Sequence, residues 1–320
     1  MAQAEPDLIA VADADPELPT ITLLGGFSIA VGTRAIDAPS WRLRKAGHIL
    51  KLLALMPRRQ LPREQVIEVL WPNLDGDAAA NNLRVTLHFA RKLLEAADGF
   101  GPGVVQWRGD QLVLFPDRKV RVDVDQFDIA ADVALRSLDP LAIELALGLY
   151  GGELLPEDRF EDWVIERRES LASTHLALLH SLARVREERG ELAEAIESLR
   201  QALQHDPISE PASAALMRLY ARSNRRAQAL RQYQQLREAL QRELDVEPEP
   251  DTTRLYESIL TGTLDAGHSP VPARLASLPT PAPARTRAAT LHPLPRETRS
   301  NLPAQLTSFI GREPDIAAAR

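Results

Sequence analysis

Apolar side chains recur at helical spacing through residues 81–95. Leu83, Leu87, Ala90 and Leu94 would form one stripe along such a helix. The polar side chains that fall on the opposite side are Asn81, Arg84, His88, Arg91 and Lys92. Amides and cations of this kind contact base edges and phosphates from the major groove, although a charged helix face is also typical of an ordinary solvated helix. The pattern therefore predicts an amphipathic helix whose neighbours must decide its purpose.

The segments around this helix predict a small α+β domain. In chain order, the predicted elements are strands over 20–24, 27–31 and 34–36, helices over 43–55, 63–71 and 81–95, and strands over 104–107 and 111–115. Pro62 near the first turn of the second helix and Pro72 after its end fit these bounds. Arg108-Gly109-Asp110 would form the tight turn between the last two strands. Strands, three helices and a hairpin, in this order, are typical of a winged helix-turn-helix domain.

From Val122 to about residue 264 the pattern is helical almost throughout. The predicted helices are 141–150, a long helix after Glu161-Asp162-Trp163, 192–204, 211–223, 226–244 and 252–260, and Asp125 is the expected N-cap of an earlier one. With Pro207 as a closing proline, a tetratricopeptide-like period of 34 residues emerges. Its positions are Leu182, Ala183, Gly190, Ala195, Leu199 and Ala202, then Leu216, Met217, Tyr220, Ala229 and Tyr233. The expected fold class is an α+β winged helix-turn-helix domain followed by an all-α, tetratricopeptide-like helical-repeat domain.

Two sets of motifs resemble one bacterial family. Leu24-Gly25-Gly26-Phe27, Arg44-Lys45 before an apolar helix, Glu64 to Trp71-Pro72, and the helix from Asn82 to Leu94 resemble the OmpR-type winged helix of the SARP family of transcriptional activators. The segments that resemble the bacterial transcriptional activator domain following it in that family are Gly151–Pro156, Asp162-Trp163, Glu166–Arg168, His205–Pro207, Ala227–Leu230 and Glu243–Pro248. The two resemblances cover roughly residues 20–262, in the family's order. One departure is His88-Phe89-Ala90, where the family often has arginine, so base preference does not transfer.

The resemblance implies that the third helix enters the major groove and that the hairpin lies against the adjacent minor groove. The expected DNA-binding residues are Asn81, Arg84, Thr86, His88, Arg91 and Lys92 in the helix and Arg108 at the wing tip. The expected partners are double-stranded DNA with direct-repeat promoter elements, RNA polymerase and a second copy of the chain. The connection over 72–77 is the candidate polymerase contact, through Asn73, Asp75 and Asp77.

The distribution of charge supports a polyanion-binding N-terminal domain. The chain carries a formal net charge of −7, but residues 19–120 hold 14 basic and 9 acidic side chains. Residues 121–262 hold 17 basic and 27 acidic side chains. Of the two predicted domains, only the winged helix carries net positive charge, and phosphates neutralised there would release counterions and make DNA binding strongly salt-dependent.

The composition excludes several kinds of site. The chain has no cysteine, which rules out disulfides and thiolate chemistry and is compatible with a cytoplasmic protein. Neither a membrane-spanning run nor a secretory signal is present in the sequence. Asp123, Asp125 and Asp128 lack the spacing of a calcium loop, and the histidines lack metal-ligand spacing. We therefore expect no catalytic residues, no metal and no cofactor, and a protein that is not an enzyme.

The two ends differ in composition from the predicted domains at 20–120 and 121–264. Residues 1–19 are acidic and predict a disordered tail, and residues 265–303 predict a proline-rich linker. Residues 304–320, with Phe309-Ile310-Gly311-Arg312-Glu313, resemble the entry to the nucleotide-binding domain of large SARP-type regulators with a signal-transduction ATPase. No phosphate-binding loop follows, so we expect a stub of that domain and the N-terminal part of a larger regulator.

Two functions of different classes fit this sequence. The first is a sequence-specific transcriptional activator, in which the winged helix reads DNA and the helical domain contacts proteins. The alternative is a helical-repeat adaptor whose basic domain binds an acidic protein partner. A third, an ATPase regulator, is disfavoured because no phosphate-binding loop is present.

Overall fold

The computed structural model describes residues 18–37, 40–41, 43–97, 100 and 103–263. Most of the expected acidic tail, the proline-rich linker and the expected nucleotide-binding stub lie outside the described residues. In chain order the strands and helices are β1 (Thr20–Thr22), β2 (Ser28–Val31), β3 (Arg34–Asp37), α1 (Arg44–Leu55), β4 (Gln60–Pro62), α2 (Arg63–Leu70), α3 (Gly76–Ala96), β5 (Val105–Arg108), β6 (Gln111–Leu114), β7 (Arg121–Val122), α4 (Asp123–Ser137), α5 (Pro140–Leu149), α6 (Asp162–Glu188), α7 (Leu192–His205), α8 (Glu210–Arg222), α9 (Arg226–Leu244) and α10 (Pro250–Thr261).

Two small sheets frame the first three helices. The first three predicted strands are present and form an antiparallel meander, whose sheet has the order β3-β2-β1-β7. Strand β7 was not predicted; it runs parallel to β1 and places Val122 opposite Ile21. The wing is a second sheet of order β4-β6-β5, in which the predicted hairpin is joined by the unpredicted β4. A helix-turn-helix with a three-stranded wing therefore forms the N-terminal part.

Helix α3 is longer than the predicted 81–95 segment. Asp75 is its N-cap, and one carboxylate oxygen accepts a 2.8 Å hydrogen bond from the Ala78 N–H. The run Ala78-Ala79-Ala80 follows, and alanine has the highest helix propensity of all residue types. The expected loop over 72–77 is therefore shorter, because its last two residues already belong to the helix. Likewise α4 begins at Asp123, so Asp125 lies in its first turn and is not its N-cap.

The hydrophobic core runs without a break from the winged helix into the helical region. One cluster of buried side chains extends from Ile21 through Phe127 and Leu154 to Leu182, far into α6. A second cluster begins at Ala183 and continues to Ile259. The division between the two cores thus falls within α6, and the expected domain limit between residues 120 and 121 lies inside the first core.

Two glycine-containing motifs, Leu24–Phe27 and Gly151–Pro156, contact each other at the junction between the winged helix and the helical region. Leu24 forms a bridge with Leu154, and the Gly25 N–H donates a 2.9 Å hydrogen bond to the Glu153 carbonyl. Gly25 has φ +81°, and a Cβ there would lie 2.7 Å from the Gly151 carbonyl oxygen. Only glycine allows both this backbone conformation and this approach. The motifs Leu24–Phe27 and Gly151–Pro156, which carry separate parts of the resemblance, therefore bind each other.

Side chains reinforce the same junction. The Asp123 carboxylate accepts hydrogen bonds of 2.8–3.0 Å from the Leu23 and Leu24 N–H groups at the end of β1. Burial raises the pKa of this carboxyl, and the backbone hydrogen bonds oppose that rise. Asp125 pairs with Arg59, and Asp128 pairs with Arg167. Each of the three aspartates thus has a structural partner of its own.

A buried polar cluster joins α1 to the turn before α6. The Lys51 ammonium lies 2.5 Å from the Asp158 carboxylate and 2.8 Å from that of Glu157, and His48 Nε2 lies 2.9 Å from Asp158. His48, Lys51 and Asp158 are each less than 5% exposed. Burial raises the pKa of Asp158, but hydrogen bonds from His48 and Lys51 outweigh it and lower the pKa to about 2. The cluster is therefore a charged contact between winged helix and helical region.

The remaining helices form tetratricopeptide-like hairpins, as the period predicted. Ala195, Leu199, Ala229 and Tyr233 are buried between the helices of the second core. The turn between α6 and α7 contains Gly190 at φ +78°. Thirty-four residues later, Asn224 occupies the corresponding turn at φ +56°. Asparagine is one of the few other residues that tolerates this left-handed conformation, so the two turns match despite the change of residue.

Within the described residues, no helix is long and apolar enough to cross a membrane.

Candidate nucleic-acid interface

Helix α3 presents one exposed face that carries most of the predicted DNA-binding residues. Asn81, Arg84, His88 and Lys92 are exposed and recur every three or four residues, so they share one side of the helix. The Arg84 guanidinium donates a 3.0 Å hydrogen bond to the Asn81 side-chain oxygen. The opposite side buries Leu83, Leu87, Ala90 and Leu94, as the stripe predicted. The helix therefore turns hydrogen-bonding and cationic groups outward while its apolar side holds it to the core.

Thr86 is the one helix residue in the predicted set whose side chain is buried. Its side chain is only 4% exposed and lies on the buried side with Leu83 and Leu87. This burial argues against direct contact with DNA, and it arises because residue 86 follows residue 83 by three positions and so lies on the same side of the helix.

Two exposed apolar residues of α3 were not recognised as part of this face. Val85 is 41% exposed and Phe89 is 52% exposed, and they stand one turn apart beside Arg84 and His88. The Phe89 ring contacts the His88 ring edge-on, with centroids 6.0 Å apart. Neither residue belongs to the predicted apolar stripe or to the predicted DNA-binding set, and helix geometry places both at the edge of the polar face next to Lys92.

Arg91 and Arg108 both contribute to the wing. Arg91 is half-buried, and its Nε–H donates a 2.8 Å hydrogen bond to the Val105 carbonyl of β5. It therefore ties the wing to α3 as well as facing the neighbouring cleft. Arg108 is about half exposed at the end of β5 and pairs with Asp117. Gly109, at φ +64°, makes the tight turn that the sequence predicted.

A cleft of about 410 Å³ separates α3 from the wing. It is lined by Arg63, Ala80, Asn81, Leu83, Arg84, Leu87, Arg91 and Trp107. Arg63 reaches it because the Arg63 N–H bonds to the Asp110 carbonyl at the wing turn, a contact that the unpredicted β4 creates. Trp107, at the end of the predicted strand over 104–107, is 37% exposed at the cleft. Three arginines and an indole around one cleft suit a sugar-phosphate backbone.

The three candidate polymerase-contact residues flank the start of α3. Asn73 lies in the connection after α2, Asp75 caps the helix and Asp77 belongs to its first turn; all three are exposed. Asp75 already has a structural task, since its carboxylate holds the Ala78 N–H. A substitution there would disturb the helix start together with any partner contact.

Comparison with known proteins assigns the helical part. The profile of the bacterial transcriptional activator domain matches residues 122–260. The regulatory protein AfsR of Streptomyces coelicolor is 27% identical over 275 residues, which cover 82% of this chain and 25% of AfsR. The chain thus spans about a quarter of the length of that relative.

A solved structure supports the architecture. The structure of Mycobacterium tuberculosis EmbR in complex with a low-affinity phosphopeptide superimposes with a TM-score of 0.60 at 20% sequence identity. The match covers 76% of this chain and 65% of that one. At this identity the likeness shows the fold: a winged helix-turn-helix followed by a helical domain. Together the matches confirm the resemblance to SARP-type regulators that the sequence indicated.

Proposed function

We propose that this SARP-type chain is a sequence-specific DNA-binding transcriptional activator. The observation that carries the proposal is the exposed face of α3, where Asn81, Arg84, His88 and Lys92 lie beside a cleft lined by arginines. The face is held by a fully buried stripe on the other side of the same helix, so its side chains are presented from a rigid element. A rigid helix with amides and cations on its outer side suits readout of the major groove.

The geometry supports a division of labour within the proposed site. Arg84 can donate two parallel hydrogen bonds to the guanine edge, and Asn81, whose oxygen holds Arg84, orients it. Arg63 and Arg91 line the cleft toward the wing and are placed for phosphates. Arg108 at the wing extends this set toward the adjacent minor groove, where a narrow A·T-rich groove attracts arginine. Phosphate contacts position the domain, and base contacts select the sequence.

The acidic helical part is assigned to protein contacts. Its residues 121–262 hold ten more acidic than basic side chains, which opposes binding to a polyanion. Arrays of helical hairpins present extended surfaces to partner segments. Self-association would place two winged helices on direct-repeat promoter elements, and polymerase contact would turn binding into activation. Asn73 and Asp77, exposed at the start of α3, are the second candidate surface for polymerase.

The proposal is tested by selecting bound duplexes from a random pool and titrating the full chain against a selected duplex and a scrambled one. We expect strong preference for the selected duplex and an affinity that falls steeply with salt. Arg84→Ala should weaken specific binding by about 1–3 kcal/mol, if the guanidinium pairs with a guanine. The matched control is Arg200→Ala, an arginine of α7 that is likewise exposed, and it should bind as the parent does.

The alternatives give different results. Equal affinity for selected and scrambled duplexes, or unchanged affinity in both Arg84→Ala and Arg91→Ala with the fold intact, would contradict the assignment. Absence of duplex binding, together with capture of an acidic polypeptide by the same surface, would favour the adaptor function instead. Reporter transcription then separates activation from binding: Asn73→Ala and Asp77→Ala should reduce activation while leaving duplex affinity unchanged.

A further inference from the structure

Two large apolar side chains, Val85 and Phe89, lie at one edge of the proposed DNA-binding face, next to Lys92. Val85 and Phe89 are 41% and 52% exposed, although α3 buries its other large apolar residues on the core side. Single exposed apolar residues are common on protein surfaces and need no explanation. These two, however, are one turn apart and are flanked by Arg84, His88 and Lys92. Their surroundings, rather than their exposure alone, indicate what they contact.

The exposed face of α3 consists of two parallel rows. At 100° per residue, Asn81, Arg84 and His88 fall along one line, and Val85 and Phe89 fall along the next line beside it. The His88 ring packs edge-on against the Phe89 ring, so the two rows touch. A polar row that contains one arginine, beside an apolar row, matches a hydrogen-bonding surface with apolar points set into it.

The major groove offers such a surface at one kind of base pair. An A·T pair presents the adenine acceptor and donor next to the C5-methyl of thymine, which is the apolar point of the groove. Residues four apart on a helix are separated by roughly 6 Å along its axis. Base pairs are stacked about 3.4 Å apart, so this distance spans about two base pairs if the helix runs along the groove.

We propose that Val85 and Phe89 determine specificity by contacting the C5-methyl groups of two thymines about two base pairs apart. This proposal deepens the proposed function and rests on it. Polar residues of the first row then read hydrogen-bonding edges, while the second row discriminates thymine from cytosine by its methyl. Discrimination of thymine from cytosine would thus depend on two residues that carry no hydrogen-bonding group in their side chains.

Deoxyuridine provides a direct test, because it differs from thymine only by lacking the methyl group. Each thymine of a selected duplex is replaced singly by deoxyuridine, and the affinity of the full chain is measured. Burial of one methyl corresponds to about a fourfold change in affinity. We expect about a fourfold loss at two thymines, with the other replacements leaving affinity within about twofold.

Variants assign each methyl to a residue. Phe89→Ala should bind the thymine and deoxyuridine duplexes equally at one of the two positions, and Val85→Ala should do so at the other. Both residues are exposed, so the folded structure should persist, which thermal unfolding checks. The matched control is Ile129→Ala on α4, which removes an apolar side chain that is 60% exposed; it should keep both sensitivities.

Each outcome decides the proposal. A selected duplex without thymine under α3, insensitivity of the parent to every replacement, or sensitivity that persists in both alanine variants would overturn it while leaving sequence-specific DNA binding intact. Loss of affinity in Phe89→Ala that is equal for thymine and deoxyuridine would show contact with the backbone instead of a methyl, and would also overturn it. Absence of any selective duplex binding would overturn the proposed function and this inference together.

Discussion

The buried charge contact between α1 and the turn before α6 predicts a large effect from a single substitution. Lys51→Met keeps the length of the side chain and removes the ammonium that bonds to Asp158 and Glu157. The Asp158 carboxylate, 3% exposed, would then be held by His48 and the more distant Arg44. Removing one member of a buried ion pair typically destabilises a protein by about 3–5 kcal/mol, because the other charge stays buried.

The measurement is urea unfolding at pH 7, followed by tryptophan fluorescence and by far-ultraviolet circular dichroism. Lys51→Met should lower the free energy of unfolding by about 3–5 kcal/mol. Combining it with Asp158→Asn removes the stranded charge, so the double variant should be more stable than the single one. The matched control is Lys92→Met, an exposed lysine of α3, with an expected change within about 0.5 kcal/mol. A similarly small change in Lys51→Met would show that the buried contact of Lys51 with Asp158 does not stabilise the fold as expected.

The same contact gives stability a pH dependence of known sign. The pKa of Asp158 is lowered from an ordinary 3.8 to about 2 in the folded chain, so the folded state binds this proton less readily than the unfolded state. Its contribution, roughly 2 kcal/mol, is fully present above pH 4 and is lost as the pH falls from about 4 toward 2. The Asp158→Asn variant should lose this part of the acid dependence.

Three further outcomes follow from the junction, the wing and the buried side of α3. Gly25→Ala should destabilise the chain by about 1–3 kcal/mol more than Gly190→Ala, because both have similar positive φ but only Gly25 faces a carbonyl oxygen at 2.7 Å; equal effects in thermal unfolding would argue against the contact. Arg108→Ala should weaken binding to all duplexes and reduce the salt slope by about one phosphate's share, and a loss confined to one base position would contradict this role. Thr86→Val should leave duplex affinity unchanged within about twofold, since its side chain is buried; a larger loss in titration would restore it to the site.

Local periodicity was sufficient for the helices and for most of the interface. The stripe of α3 and the polar face opposite it depend on residues three or four apart, so the sequence alone placed Asn81, Arg84, His88 and Lys92 together. The N-terminal limit of α3 was not predicted, because its capping residue Asp75 lies in a stretch of turn-forming residues. Thr86 has a hydrogen-bonding side chain, but its angle around the helix places that side chain on the buried side of α3.

Local periodicity does not predict contacts between residues that are far apart in the sequence. Strand β4 has three residues and ends in proline, and its partner β6 lies some fifty residues later. Asp123 binds the end of β1 across a separation of 100 residues, and Lys51 meets Asp158 across 107. Neither pairing leaves a periodic trace.

Position-specific photo-crosslinking shows directly whether duplex DNA binds at α3 and the wing. A photoreactive residue is placed singly at His88 on α3, at Gly109 in the wing turn and, as a control, at Arg200 on α7, and each full-length protein is irradiated on its selected duplex. If DNA binds there, we expect crosslinks to major-groove base atoms from position 88 and to the adjacent backbone or minor groove from position 109. We expect no crosslinks from position 200. Crosslinks from position 200 with none from positions 88 and 109 would contradict binding at α3 and the wing.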